Sequence, residues 1–412
     1  MKKWIKASRL SGKISIPSSK SDSQRALLAA ALSSGTSIIA NVGQSDDEQN
    51  MLKNIQLLGA EVRIHQDNIE IKGIDNFPKQ LDLNVGESGL GLRLLTSICA
   101  AHEGMHRIFG EGSILTRDHS FFEQYFPTMG VDVASNGGKL PLEISGQLKS
   151  GKYTVDGSQS SQYISGLLMA FPLLNGDTEL IVDDLKSKPY VDMTVDTLKA
   201  FGISVQEEGN HYLIRGNQTY QPTNYIVESD WSSASYWLVA AALGHELELT
   251  GLNLESKQAD LAMLQALKNA NCHVHSSNNS IHIDGTARKA FVFDATDCPD
   301  LFPAFVAFAA GCDGLSKISG VNRLKNKESD RGNVLQQEYA KLGLNIEIEG
   351  NDMIIFGGSE LHGGSVDSHN DHRIAMCLGI TATFINDEVE LLNADAISKS
   401  YPMFWNHLDQ LT

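Results

Sequence analysis

At 412 residues and a net charge of −17, the chain is long enough for two ordinary cores. It is also too acidic for general nucleic-acid binding, which neutralises phosphates with surplus Lys and Arg. With 42% hydrophobic and 20% charged residues it reads as globular, no run approaches about 18 apolar residues, and the basic start Met1–Lys6 leads into Ala7-Ser8-Arg9 without an apolar segment, so neither membrane spanning nor secretion is expected. Five scattered cysteines, Cys99, Cys272, Cys298, Cys312 and Cys377, lack CxxC spacing. They point to reduced thiols in the cytoplasm, without zinc or disulfides.

The first predicted element is an N-terminal hairpin, Lys3–Ile16. Pro17-Ser18-Ser19-Lys20-Ser21-Asp22-Ser23-Gln24-Arg25 follows and runs into the apolar helix Ala26–Leu32. Two readings stand side by side. The helix start offers unpaired N–H groups and the positive end of the macrodipole, an anion seat to which Lys20 and Arg25 add charge. Alternatively the serines are plain caps and the cations are solvated. A Walker A loop does not fit, because Ser18 and Ser19 stand where glycines are needed and the nearest upstream glycine is Gly12.

Further along, a unit of about 70 residues recurs. One signature is an apolar helix closed by a small turn and followed by an alternating hairpin. It begins at Leu58-Gly59, Met129-Gly130, Phe201-Gly202, Ala270-Asn271 and Leu342-Gly343 and ends at Gly73, Gly146, Gly216, Gly285 and Gly357. The other is a polar start to a small-residue helix, at Lys20-Ser21, Gly86–Gly89, Ser160-Ser161-Gln162, Asp230–Ser233, Pro299-Asp300 and Asn370-Asp371-His372-Arg373. Six α/β units follow, of strand-helix-strand-helix-hairpin type (βαβαββ). The last helix, around Met403–Leu411, reaches the end of the sequence with no hairpin after it, so Lys3–Ile16 is expected to supply it. That makes a discontinuous domain of 1–18 plus 229–412 and a continuous one of 19–228, each of three units, joined by two crossings able to act as a hinge. Equivalent helix starts should point the same way, towards one cleft between the domains. Six unrelated caps are the competing explanation, but capping leaves the neighbouring cations unexplained.

Those cations, besides Lys20 and Arg25, are Arg117 in Leu115-Thr116-Arg117-Asp118, Lys327 and Arg331 in Lys327-Glu328-Ser329-Asp330-Arg331, Arg373, and Lys399 in Ser398-Lys399-Ser400-Tyr401-Pro402. Lys327 and Arg331 lie i,i+4 and would share a face if their segment is helical. Asp300 reads equally as a cap for the helix Leu301–Ala310, and Glu328 as a partner of Lys327 or Arg331.

Over essentially its whole length the chain resembles the enolpyruvyl transferases, and among them the EPSP synthase family. The likeness lies in Ser19–Arg25, Ser160–Tyr163, Ser187-Lys188-Pro189-Tyr190-Val191-Asp192, Asp230–Tyr236, Lys327–Arg331, Asn370–Cys377 and Ser398–Phe404. The resemblance implies two domains of three repeats, an inside-out α/β barrel with an interdomain cleft. It also implies addition and elimination between phosphoenolpyruvate and shikimate 3-phosphate in aromatic amino acid (chorismate) biosynthesis, with no cofactor or metal, in a cytoplasmic monomer without nucleic-acid or membrane partners. Lys20, Ser21, Arg25, Ser160, Ser161, Gln162, Ser187, Asp300, Arg323 and Lys327 would hold shikimate 3-phosphate. Lys20, Gly89, Arg117, Gln162, Arg331, Arg373 and Lys399 would hold phosphoenolpyruvate, for which forked guanidinium groups are suited. Asp300 would be the base at the 5-hydroxyl, with Glu328 and Lys20 moving protons at the methylene carbon and leaving phosphate. His372 is expected to be structural. The chain departs from the family at Glu87-Ser88-Gly89-Leu90, where Asn-Ala-Gly-Thr is usual. Glu87 must face away from an anionic ligand or pair with a cation.

Two rival functions remain. UDP-N-acetylglucosamine enolpyruvyl transferase shares fold and donor, but its loop cysteine has no counterpart in Gly110–His119. A non-catalytic anion-binding protein on the same fold would not need Asp300, Glu328 and Lys20 together.

Overall fold

The computed structural model describes residues 1–277 and 280–412. Two compact units divide the chain: Ser18–Glu228, and Met1–Pro17 together with Ser229–Thr412. Among the described residues no helix is long and apolar enough to cross a membrane.

In the unit Ser18–Glu228, helices α1 (Lys20–Ala31), α2 (Asp46–Leu57), α3 (Gly89–Ala100), α4 (Ser161–Ala170) and α5 (Lys188–Ala200) alternate with strands. Helices α1, α3 and α4 are buried almost all round, as expected of runs such as Ala26–Ala31 and Leu94–Ala100 that carry apolar or small residues on every face. Helix α2 instead buries one stripe, Met51, Leu52 and Ile55 together with Asp47 and Glu48 of its first turn, and exposes Asp46 and Lys53.

Three four-stranded sheets wrap these helices, all with one topology. A parallel first pair is followed by an antiparallel hairpin: Asn224–Ile226, Thr36–Ala40, Asn68–Lys72, Glu61–Ile64 in one, and Gln80–Asn84, Gly104–Phe109, Leu142–Gly146, Val131–Ala134 in the next. The third runs Lys152–Asp156, Thr178–Asp183, His211–Ile214, Val205–Glu208. In the second and third sheets the first strand crosses over through a helix, α3 or α4, to its parallel neighbour, the connection a parallel pair requires.

The other unit repeats the plan with α6 (Trp231–Ala242), α7 (Phe302–Ala310), α8 (Arg331–Ala340) and α9 (His372–Ala382). Every residue of α6, α7 and α9 is buried. Before the predicted hairpins the chain turns through Gly59, Gly130, Gly202, Asn271 and Gly343, all at positive φ, the left-handed closure that lets a helix turn sharply into a strand. The hairpin expected over 270–285 has strands His273–Ser277 and Ser280–Asp284; its tip, 278–279, lies outside the described residues.

The N-terminal hairpin expected over Lys3–Ile16 does not form. Lys2–Ile5 lies antiparallel to Val389–Leu392 and takes the place of the hairpin that the last repeat lacks, whereas Ser11–Ser15 joins another sheet as the parallel neighbour of Glu246–Thr250. Both strands are satisfied by partners more than 200 positions away, so no local turn is needed. The first strands of two repeats are exchanged as a result. Ser11–Ser15 precedes α1 in sequence but serves the sheet after α6, and Asn224–Ile226 precedes α6 but serves the sheet after α1. Where the chain passes from one unit to the other, Ser19 N–H donates to the Glu228 carbonyl (2.7 Å) and Asp230 N–H to the Pro17 carbonyl (2.8 Å).

Candidate active site

Five of the six polar helix starts are caps. Ser19, Ser88, Ser160, Asp230 and Asp371 accept backbone N–H bonds from the first turns of α1, α3, α4, α6 and α9. The sixth differs. Asp300 sits inside the short turn Pro299–Leu301 before α7 and makes no capping bond, so its carboxylate is committed elsewhere.

In the unit Ser18–Glu228, Lys20 opens α1 and its Nζ lies 2.9 Å from Asp47 Oδ2, at the start of α2. Arg25 is buried, and burial lowers its pKa to about 10. Its guanidinium donates to Thr194 Oγ1 (2.7 Å), the Ser21 carbonyl (2.7 Å), Ser165 Oγ (3.2 Å) and the Tyr190 carbonyl (3.0 Å). It thereby ties the first turn of α1 to α4 and α5. Asp22, also buried, accepts from Tyr225 Oη (2.7 Å) and Glu228 N–H (2.9 Å), and burial pushes its pKa up to about 6 in spite of these bonds.

Gly89, Arg93, Arg117 and Gln162 meet at one point. A Cβ added to Gly89 would stand 2.8 Å from an Arg93 nitrogen, 3.1 Å from Arg117 Nη1 and 3.4 Å from Gln162 Oε1. Arg93 donates to the Gly89 carbonyl (2.8 Å) and lies over the Tyr163 ring at 4.7 Å. His119 nearby is held neutral, its pKa driven down to about 3 by burial and by Arg93 and Arg117. Ser161 and Ser187 are buried, and Ser187 precedes α5 in the left-handed region (φ 54°), an uncommon backbone for serine, without capping the helix.

In the other unit a single network gathers Asp300, Lys327, Glu328, Arg331, Arg373 and Lys399. Arg331 is buried and donates to Asp300 Oδ1 (2.7 Å), Glu328 Oε2 (2.5 Å) and both oxygens of Asp371 (2.7 and 3.2 Å). Asp300 also accepts from Lys327 Nζ (3.2 Å) and Arg373 Nη2 (3.1 Å). Arg373 bonds in addition to Ser232 Oγ, and Lys399 Nζ lies 3.9 Å from Glu328 Oε1. Burial favours a protonated Asp300, but Arg373, Lys327 and Arg331 outweigh it and hold the carboxyl well below the usual range. Lys327 is lowered by burial, against the pull of Asp300. Arg323 stands on a separate turn, Val321–Leu324, close enough to be felt electrostatically at Lys327.

The helical face expected for Lys327 and Arg331 does not exist. Helix α8 begins at Arg331 with Asp330 as its cap, and Lys327 belongs to the preceding turn. The two meet at Asp300 Oδ1 instead. Asp371, Asp47, Thr194 and Ser165 were not predicted to support the site. Asp371 stood within a recognised motif and Asp47 within a helix start, so both had a local signal; Thr194 and Ser165 had none.

The profile of EPSP synthase (3-phosphoshikimate 1-carboxyvinyltransferase) matches residues 5–408. Among similar proteins, a 3-phosphoshikimate 1-carboxyvinyltransferase of Clostridium kluyveri is 36% identical over 410 residues, 99% of this chain and 96% of that one. One from Clostridium perfringens is 37% identical over 414 residues, 99% and 97% of the two chains. Among solved structures, EPSP synthase from Acinetobacter baumannii superimposes with a TM-score of 0.84 at 24% identity, over 100% of this chain and 98% of that one. The enolpyruvyl transferase NikO from Streptomyces tendae gives 0.79 at 17% identity, over 99% and 96%. These two structures share the fold.

Proposed function

Because the chain belongs to the EPSP synthase (3-phosphoshikimate 1-carboxyvinyltransferase) family, we propose that it transfers the enolpyruvyl group of phosphoenolpyruvate to the 5-hydroxyl of shikimate 3-phosphate and releases inorganic phosphate. The observation that carries this reading is the network around Asp300, a carboxylate excused from capping and surrounded by Lys327, Arg331 and Arg373.

Asp300 takes the proton of the 5-hydroxyl as its oxygen attacks C2 of phosphoenolpyruvate, while Glu328 and Lys20 deliver a proton to the methylene carbon. The tetrahedral adduct then loses that methyl proton and phosphate, breaking a C–O bond and restoring the double bond. Arg117, Arg331, Arg373 and Lys399, with Gln162 and the Gly89 backbone, hold the donor's carboxylate and phosphate. Lys20, Ser21, Ser160, Ser161, Gln162, Ser187, Arg323 and Lys327 hold the acceptor. Arg25 contributes mainly by fixing Ser21 and adding positive field, since its bonds are spent on protein groups.

Asp300 is a weak base while three cations stabilise its charge. When the donor's anionic groups take over Arg331 and Arg373, the same linkage returns its pKa towards ordinary values and strengthens it as a base. Binding thus prepares the group that starts the chemistry. The buried, unpaired thiols suit a reducing cytoplasm, and two small anions require no further partner, so a cytoplasmic monomer is proposed.

The test is phosphate release from phosphoenolpyruvate with each acceptor in turn. Release with shikimate 3-phosphate and none with UDP-N-acetylglucosamine is expected. The reverse pattern would assign the rival transferase, and no release with either would leave a binding protein.

A further inference from the structure

Glu87 places a carboxylate two residues before Gly89, beside a group of cations proposed to take an anion. Its carboxylate is engaged by the turn that leads to Arg117. Glu87 Oε2 accepts two bonds from Ser113, from the backbone N–H at 2.8 Å and from Oγ at 2.6 Å. Gly112, at φ 58°, lets the turn Gly112–Thr116 close directly against this carboxylate, and a Cβ there would run into it. Ser113 Oγ in turn accepts from Arg117 Nη2 at 3.1 Å.

A serine hydroxyl has one proton. Once that proton is donated to Glu87, the oxygen faces Arg117 as an acceptor only. One end of the Arg117 guanidinium is therefore moored at Ser113 while the other, Nη1, faces Gly89.

We infer that Glu87 and Ser113 are positioning residues for donor binding, with Glu87 fixing the Ser113 hydroxyl so that it aims Arg117 at the site beside Gly89. This rests on the proposed function, because it assigns Arg117 to the donor anion.

The experiment measures kcat and both KM values for Ser113→Ala, Ser113→Thr, Glu87→Ala and Glu87→Gln. Ser113→Ala removes the hydroxyl but leaves the backbone N–H bond to Glu87, so the turn keeps its cap. A lost hydrogen bond to a charged group corresponds to a rise in the phosphoenolpyruvate KM of roughly tenfold. That rise is expected for Ser113→Ala and Glu87→Ala, with kcat and the acceptor KM within about twofold. Ser113→Thr, which keeps a hydroxyl, and Glu87→Gln, which keeps an acceptor, should restore the donor KM. The double variant Glu87→Ala/Ser113→Ala should be no worse than either single, since both cut one chain of bonds.

An unchanged donor KM in Ser113→Ala, or equal rises for both substrates, would overturn the inference. So would Glu87→Gln behaving like Glu87→Ala, which would make charge and not aim the cause. If the wild type turns over neither substrate, the proposed function fails separately. Calorimetry with inorganic phosphate then decides the inference: Ser113→Ala should weaken phosphate binding roughly tenfold and Ser113→Thr should not, and equal binding by wild type and Ser113→Ala would overturn it.

Discussion

Arg25 and Arg331 are both buried arginines, each with four hydrogen bonds, yet their surroundings are opposite. Arg25 meets two hydroxyls and two carbonyls, while Arg331 meets three carboxylates. Burial accordingly lowers the pKa of Arg25, whereas at Arg331 burial is outweighed by Asp371, Glu328 and Asp300 and the pKa rises. The unit Ser18–Glu228 thus keeps a cation whose charge is poorly compensated and favours an added anion. The other unit fills its cationic pocket with its own carboxylates, and an anion must exchange for them. What already balances a buried cation decides whether an added anion meets an open charge or must first displace a carboxylate.

The largest test of this contrast is thermodynamic. Arg331→Met removes the buried cation that three carboxylates share and should cost about 3–5 kcal/mol of unfolding free energy. Arg25→Met removes a poorly compensated charge, and Thr194 retains bonds to Ser165 and the Tyr190 carbonyl, so the loss should stay under about 2 kcal/mol. Denaturant titration measures both, and equal losses would erase the distinction. In acceptor affinity the order should reverse, with Arg25→Met weakening the acceptor more than Arg331→Met does.

Asp22 gives the next effect. Its folded-state pKa of about 6 lies above its ordinary value, so its contribution to stability is complete below about pH 4 and is lost as pH rises through about 6. Asp22→Asn should therefore be more stable than wild type by up to about 3 kcal/mol at pH 8, a gain that vanishes near pH 4. A gain independent of pH would mean that packing, not ionisation, is responsible. The smallest effect is at Lys20. Asp47→Asn removes a carboxylate at 2.9 Å and should tighten the acceptor roughly threefold, read as its dissociation constant. Weaker binding would show that Asp47 orients Lys20 more than it competes for it.

Much of this was legible because repetition is local. Each helix closure at Gly59, Gly130, Gly202, Asn271 and Gly343 carries its own signal, and so does each polar helix start. The fate of the N-terminal strands was not legible, because Lys2–Ile5 and Ser11–Ser15 pair with strands near 390 and 248, and alternation within a strand says nothing about its partner. Lys327 and Arg331 were rightly grouped for the wrong reason: the shared carboxylate of Asp300 joins them, not a helix face. At Glu87 the sequence posed the question, a carboxylate near an anion site, but its answer lay in Ser113, 26 residues on. Ser187 shows the same limit, since left-handed serine leaves no mark in composition.

Asp300 is proposed both as an internal occupant of the donor's cations and as the base. Steady-state kinetics of Asp300→Asn test both at once. Loss of the base should lower kcat by about 10²-fold or more, and loss of the competing carboxylate should lower the KM for phosphoenolpyruvate below that of the wild type. An unchanged kcat, or a donor KM that rises, would contradict the account.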